Sequence, residues 1–261
     1  MLFTEHPLLE RPHAAKAAGF DAIEFWWPWP TEPVPGDAEV SAFVAAVRDA
    51  GVQLVGLNFF AGDLAGADCG VLSIPDRASQ FRDNVVVAVG IGEQLGTSAF
   101  NALYGNRVEG IRPEQQDELG REQLAGAARA AQPIGATVLV ESVSGPKPYP
   151  LRTAADSVAV VEQVRKDGEA NIGFLCDLFH LANNGDDVPA AVAAYADMTA
   201  HVQIADWPGR SEPGTGELDL NGLLGDLVSR GYDGWVGLEY KPTTTTEAGL
   251  AWLPRARRGA R

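Results

Sequence analysis

The strongest constraint on the fold of this chain is an alternation. Seven short, continuous apolar stretches alternate with seven segments of helical periodicity. We read strands at 21–25, 52–59, 98–103, 137–142, 172–177, 200–205 and 235–240. They are rich in Val, Ile, Leu and Phe, and mostly lack the polar alternation of a half-exposed strand. Strands of this kind are buried on both faces, as in a parallel sheet covered by helices. Helical patterns fill the intervals at about 8–18, 38–50, 76–95, 113–134, 153–164, 189–196 and 220–230. Several end on glycine at the C-cap side, among them Gly19, Gly51, Gly96, Gly135 and Gly231. Pro113 and Pro189 fall where a first helical turn tolerates proline.

Repeated βα units over 261 residues point to a (β/α)8 barrel forming a single domain, residues 1–261. No G-x-G-x-x-G segment follows a strand, which weakens a dinucleotide-binding reading. The polar run Thr243–Thr246 reads as a loop. Residues 1–5 are too short for a strand and its connection, so the expected first strand is truncated. A seam is then expected between the strands at 21–25 and 235–240, with unpaired edges.

Charge limits the partners. Lys and Arg number 20 against 35 Asp and Glu, a net charge of −15. That balance opposes nucleic acid and anionic lipid as general partners. No apolar run is long enough to cross a membrane as a helix, and the N-terminus lacks the features of a secretory signal. Cys69 and Cys176 are too few for a disulfide framework, so a reducing, cytoplasmic setting is expected. The favoured partner is a small substrate, and a homo-oligomer is compatible with the sequence.

Polar residues recur in phase at the strand ends. Glu141, Asp177, Gln203 and Glu239 are separated by 36, 26 and 36 residues, about one βα repeat each. Strand C-termini of a parallel barrel converge on its mouth, where active sites form. Three carboxylates and a carboxamide oxygen make a hard, all-oxygen donor set suited to Mg²⁺ or Mn²⁺. Without a cation they would raise one another's pKa values. A strand-end cap or surface ion pair explains any one of these residues, but four in phase at buried strand ends need a shared partner.

Further candidates surround them. His180, three residues after Asp177, is placed either to reach substrate or to hydrogen-bond a ligand carboxylate, with a plain loop histidine as the alternative. Arg210 and Lys241 are candidate cations for a substrate carboxylate, against solvated surface charge. Asn58 is a candidate donor at the rim. The aromatic run 25–29 lines the pocket, packs in the core or forms a dimer contact. His201 reads as structural, and His6 and His13 as exposed.

Several segments carry a resemblance: 19–25 (GFDAIEF), 61–63 (AGD), 81–83 (FRD), 201–206 (HVQIAD), 212–217 (EPGTGE), 234–242 (GWVGLEYKP) and 244–250 (TTTEAGL). The chain resembles the hydroxypyruvate isomerase family of the xylose-isomerase-like TIM barrel superfamily over nearly its whole length. The resemblance implies that Glu141, Asp177, Gln203 and Glu239 are divalent-metal ligands, with Glu141 and Glu239 also the acid/base pair. It implies conversion of hydroxypyruvate, a small anionic keto acid of glyoxylate metabolism, into 2-hydroxy-3-oxopropanoate through an enediolate. Gln203 favours this branch, since related sugar isomerases and epimerases often carry histidine there. Two departures stand out: the strand that normally precedes the segment at 2–5 is absent, and Leu57 stands where some members have histidine. The rival readings are an isomerase or epimerase of another short hydroxy-keto acid (a 2-oxo-tetronate) or a ketose, a metal-dependent nuclease, and a non-catalytic binding protein.

Overall fold

In the computed structural model, which describes residues 1–259, all seven apolar stretches are strands of one parallel sheet. They are β1 (Ala22–Phe25), β2 (Gln53–Asn58), β3 (Ala99–Asn101), β4 (Thr137–Glu141), β5 (Ile172–Asp177), β6 (Thr199–Ile204) and β7 (Val236–Leu238). Their order in the sheet is their order in the chain. This is the winding of a TIM barrel, nearly closed, with β1 and β7 as its two edges. Five of the seven ladders are shorter than the apolar runs that announce them, and β5 and β6 match theirs at six residues. The runs at 98–103 and 235–240 keep three residues each in the sheet, because apolar burial continues past the last ladder bond into the loops at the barrel mouth.

The helices are α1 (Arg11–Ala18), α2 (Asp37–Ala50), α3 (Ala78–Leu95), α4 (Pro113–Ala131), α5 (Ala154–Lys166), α6 (Leu178–Asn184), α7 (Val188–Tyr195), α8 (Leu220–Ser229) and α9 (Thr246–Gly249). The pattern at 113–134 ends as a 3₁₀ turn, Gln132–Ile134, since Pro133 has no N–H to continue the α-helical ladder. Two elements were not expected. Helix α6 starts directly on the end of β5, so no loop separates the two periods. Thr245 caps α9 within the polar run read as a loop.

Strand residues sort by parity. Val138 and Val140 of β4 pack outward against the helices, in a core shared with Phe43, Val47, Phe81, Ile91, Phe100 and Leu124. Phe174, Cys176, Val202 and Ile204 face a second helical layer with Leu181, Val192, Leu223 and Leu227. Burying each of these side chains contributes about 1.5–3 kcal/mol. The alternate residues point into the barrel. Ala99, Leu139 and Leu175 form a small apolar layer there. Two positions further along the same strands stand Asn101, Glu141 and Asp177, all buried. The apolar layer floors the barrel, and the polar layer lies over it at the C-terminal mouth. No helix among the described residues is long and apolar enough to cross a membrane.

Candidate active site

The polar layer brings together what the sequence scattered. One ligand atom from each of Glu141, Asp177, His180 and Glu239 lies within 4.8 Å of every other, and all four residues are buried. Gln203 completes the ring from β6, where it is in register with Asp177 on one side and Gly237 on the other.

Each acid is held by a specific donor. Glu141 accepts a hydrogen bond from Asn101 Nδ2 at 2.7 Å. Asp177 caps α6 through Oδ1, which accepts the His180 N–H at 2.8 Å. Glu239 accepts from the indole of Trp26 at 2.6 Å and forms a close ion pair with Arg210. The environments differ accordingly. Burial, then the charges of Glu239 and Asp177, push the Glu141 carboxyl well above its ordinary range. Burial and the Glu239 charge do the same to Asp177. Burial is the largest influence on Glu239 and works to raise it, but Arg210, the Trp26 hydrogen bond and the other groups around it together outweigh burial, and the group ends lower than usual.

Gln203 supplies the test of whether a cation fits. Its Nε2 donates to Glu24 Oε1 at 3.0 Å, which fixes the amide so that Oε1 is the free end. That oxygen is buried and has no hydrogen-bond partner among the described residues. Three converging carboxylates and a buried amide oxygen without a partner form a group that could hold a cation. The donors are all hard oxygens, so they fit Mg²⁺ or Mn²⁺.

His180 has a defined tautomer. Its Nδ1 accepts the backbone N–H of Ser144 at 3.0 Å, so the ring proton sits on Nε2. Nε2 faces the acids, 3.8 Å from Glu141 Oε1 and 4.0 Å from Asp177 Oδ2. Burial, then the charge of Arg210, lowers its pKa to about 3, so the imidazole is neutral at working pH. Arg210 lies across the ring of Phe179, 5.2 Å from its centroid, and its Nε is buried with no partner among the described residues.

Arg210 sits on a loop built to hold it. Its backbone has φ +54°, a left-handed conformation costly for a residue with a side chain. The buried carboxylate of Asp206 accepts the N–H groups of Gly214, Gly216 and Leu218 at 2.8, 2.9 and 3.1 Å. The Lys241 N–H donates to the Arg210 carbonyl at 2.8 Å. Lys241 thus contributes through its backbone. Its side chain is exposed and lines a neighbouring cleft of about 1470 Å³ between β1 and β7. The cavity over the acids is about 180 Å³ and is lined by Glu141, His180, Arg210 and Glu239, with Asn58 at its wall.

Three residues around the acids were not singled out in the sequence, Asn101, Glu24 and Lys147, and the aromatic run 25–29 divides between pocket and core. Asn101 ends β3 as Asn58 ends β2, so a polar strand end was the available signal. Trp26 belongs to the site, whereas Trp27 and Trp29 pack together in the core at 5.2 Å. Glu24 and Lys147 gave no local signal. His201 is structural, its Nε2 2.7 Å from Glu24 Oε2, and His6 is half-buried rather than exposed.

A family model described as "Xylose isomerase-like TIM barrel" matches residues 12–256. A Streptomyces coelicolor protein named "Putative hydroxypyruvate isomerase" is 54% identical, covering 100% of this chain and 95% of its own. The hydroxypyruvate isomerase of Escherichia coli K12 is 31% identical (97% and 95% covered). A 2-oxo-tetronate isomerase of Cupriavidus necator is 32% identical (97% and 94% covered). Among solved structures, an AP endonuclease, family 2, from Brucella melitensis superposes with a TM-score of 0.85 at 32% identity, covering 96% of this chain and 94% of its own. The chain belongs to the xylose isomerase-like TIM barrel family, within its hydroxypyruvate isomerase group, and is an enzyme of the isomerase class.

Proposed function

We propose that this protein is a metal-dependent isomerase that interconverts hydroxypyruvate and 2-hydroxy-3-oxopropanoate. The observation that carries the reading is the buried ring of Glu141, Asp177, His180 and Glu239 beside the unpartnered Gln203 oxygen. A divalent cation held by Glu141, Asp177, Gln203 and Glu239, Mg²⁺ or Mn²⁺ by the hardness of those donors, would supply Lewis acidity to the substrate carbonyl.

The chain's own residues supply the rest. Isomerisation moves one proton from C3 to C2 and one from the C3 hydroxyl to the C2 oxygen, through an enediolate. Glu141 and Glu239 form the acid/base pair for the carbon-bound protons, within reach of one small cavity. The neutral His180 aims its Nε2–H into that cavity, where it donates to the oxygen on which negative charge develops. Arg210 has an unspent Nε–H for the same purpose. Asn58 lines the wall as a further donor, and the apolar floor beneath keeps bulk water from the enediolate.

The cavity over the acids, about 180 Å³, fits a short substrate, since pockets for drug-sized ligands begin at about 300 Å³; Trp26, Asn58 and Glu239 also face the larger cleft of about 1470 Å³. A relative of similar identity is a 2-oxo-tetronate isomerase, so the four-carbon acid is the second reading. The −15 net charge supports a small anion at a cation site over nucleic acid, and two buried free thiols support a reducing, cytoplasmic setting. Turnover of both keto acids with Mn²⁺, Mg²⁺ and then EDTA tests the proposal. Chelator-sensitive conversion with higher kcat/KM for hydroxypyruvate is expected. Preference for the four-carbon acid selects the second reading, and turnover of neither overturns both.

A further inference from the structure

Two cationic side chains line the small cavity, Arg210 and Lys147. Arg210 is paired with Glu239. Lys147 has no carboxylate within ion-pair distance among the described residues, although it is partly buried. Two backbone carbonyls hold its ammonium: Nζ donates to Leu64 O at 3.0 Å and to Asp68 O at 2.6 Å. An ammonium carries three donors, so one N–H remains for the cavity.

The lysine is also pre-positioned. Pro146 and Pro148 flank it. The Gly145 and Pro148 carbonyls accept from Arg152 Nη1 at 3.0 Å and the Arg107 N–H at 2.9 Å. On the other side, Asp68 is tied to Arg77 by an ion pair at 2.6 Å. Neither the lysine nor the loop that receives it must be ordered when a ligand arrives, which reduces the entropic cost of binding.

Local charge pairing points to an anion. The three carboxylates that would hold a divalent cation are offset by it and by Arg210, Glu24 faces His201 and Gln203 and does not line the small cavity, and Lys147 is the described charge lining that cavity with no carboxylate partner. We propose that Lys147 is the specificity-determining cation of this pocket and binds the carboxylate of a short monoanionic substrate. This inference rests on the isomerase reading for its substrate class, but not for the anion site itself. Because the same ammonium braces residues 64–68, and Leu64 also lines the cavity, the carboxylate meets a wall already in place.

The test is calorimetric titration of the Mn²⁺-loaded protein, Lys147→Met and Lys147→Arg with two probes. Glycerate carries the carboxylate but lacks the reactive carbonyl. Dihydroxyacetone replaces the carboxylate with a neutral hydroxymethyl group. Lys147→Met is expected to weaken glycerate about tenfold or more, the loss of a charged hydrogen bond, and to leave dihydroxyacetone unchanged. Lys147→Arg is expected to retain most of the glycerate affinity. Three results would overturn the proposal: glycerate bound equally by Lys147→Met, equal weakening of both probes in that variant, or no glycerate binding to the unmodified protein. The second would show that the lysine only braces the loop. Lys147-dependent glycerate binding without hydroxypyruvate turnover would refute the proposed reaction and leave the anion site standing. Turnover without Lys147 dependence would do the reverse.

Discussion

Glu24 Oε1 accepts a hydrogen bond from Gln203 Nε2 at 3.0 Å, across 179 residues of sequence and across the open side of the sheet. Its other oxygen lies 2.7 Å from His201 Nε2. Glu24 therefore decides which end of the Gln203 amide remains free for a cation. Replacing it with glutamine lets the Gln203 amide turn over, since a carboxamide at that position donates as well as accepts. Glu24→Gln is expected to weaken Mn²⁺ about 10–100-fold, the usual range for such supporting residues. Metal titration followed by electron spin resonance reads this directly. Unchanged affinity would remove Glu24 from the account.

Gly237 makes room for that carboxylate. A Cβ at this position would collide with the Glu24 carboxylate. Gly237→Ala is expected to cost about 1–3 kcal/mol of stability, as overpacking does. In a Glu24→Ala background most of that cost should vanish. Chemical denaturation of the two single variants and the double variant measures the coupling.

The acids link metal binding to pH. Glu141 and Asp177 titrate above their ordinary range in the cation-free fold, by burial first and mutual charge second. Their unfolded counterparts titrate near 4. Between those limits the native state holds more protons than the unfolded one, so its stability falls as pH rises through the raised pKa values. A cation displaces those protons and removes the penalty. Mn²⁺ affinity should therefore increase with pH, with proton release visible as buffer-dependent binding heat. The drop in Tm on chelation should grow as pH rises from the unfolded carboxylate range through the raised pKa values, and a drop that shrinks with pH would contradict this linkage.

His180 should behave as a neutral donor throughout. With its pKa near 3, its ring nitrogens should show no protonation step between pH 5 and 8, with the proton on Nε2. Nitrogen-15 spectra of the imidazoles report both points. His180→Phe removes that donor and should lower kcat/KM about 10²–10³-fold. A variant close to full activity would show that the imidazole has no catalytic part.

Much of the fold was legible because buried parallel strands are continuous apolar runs. Glu141, Asp177, Gln203 and Glu239 broke those runs in phase, and the barrel turned a repeat in sequence into a ring in space. What stayed hidden depends on register and reach. Glu24 occupies an ordinary strand position, and its meaning comes from partners 177 and 179 residues away. Helix α6 escaped notice because Asp177 ends a strand and caps a helix at once, the same arrangement that brings His180 back to the acids. Lys147 reads locally as a loop charge between two prolines, and only the 64–68 loop folding onto it makes it part of a pocket.

The central claim is that Glu141 and Glu239 move a carbon-bound proton in a cation-dependent pocket. The most direct measurement follows hydroxypyruvate by proton and deuterium NMR in D₂O with the metal-free protein, the Mg²⁺-loaded protein and Mg²⁺-loaded Glu239→Gln. The account predicts solvent deuterium entering C2 of the product and C3 of recovered substrate only with Mg²⁺ present and Glu239 intact. Exchange that persists in EDTA, or in Glu239→Gln at the full rate, would contradict it.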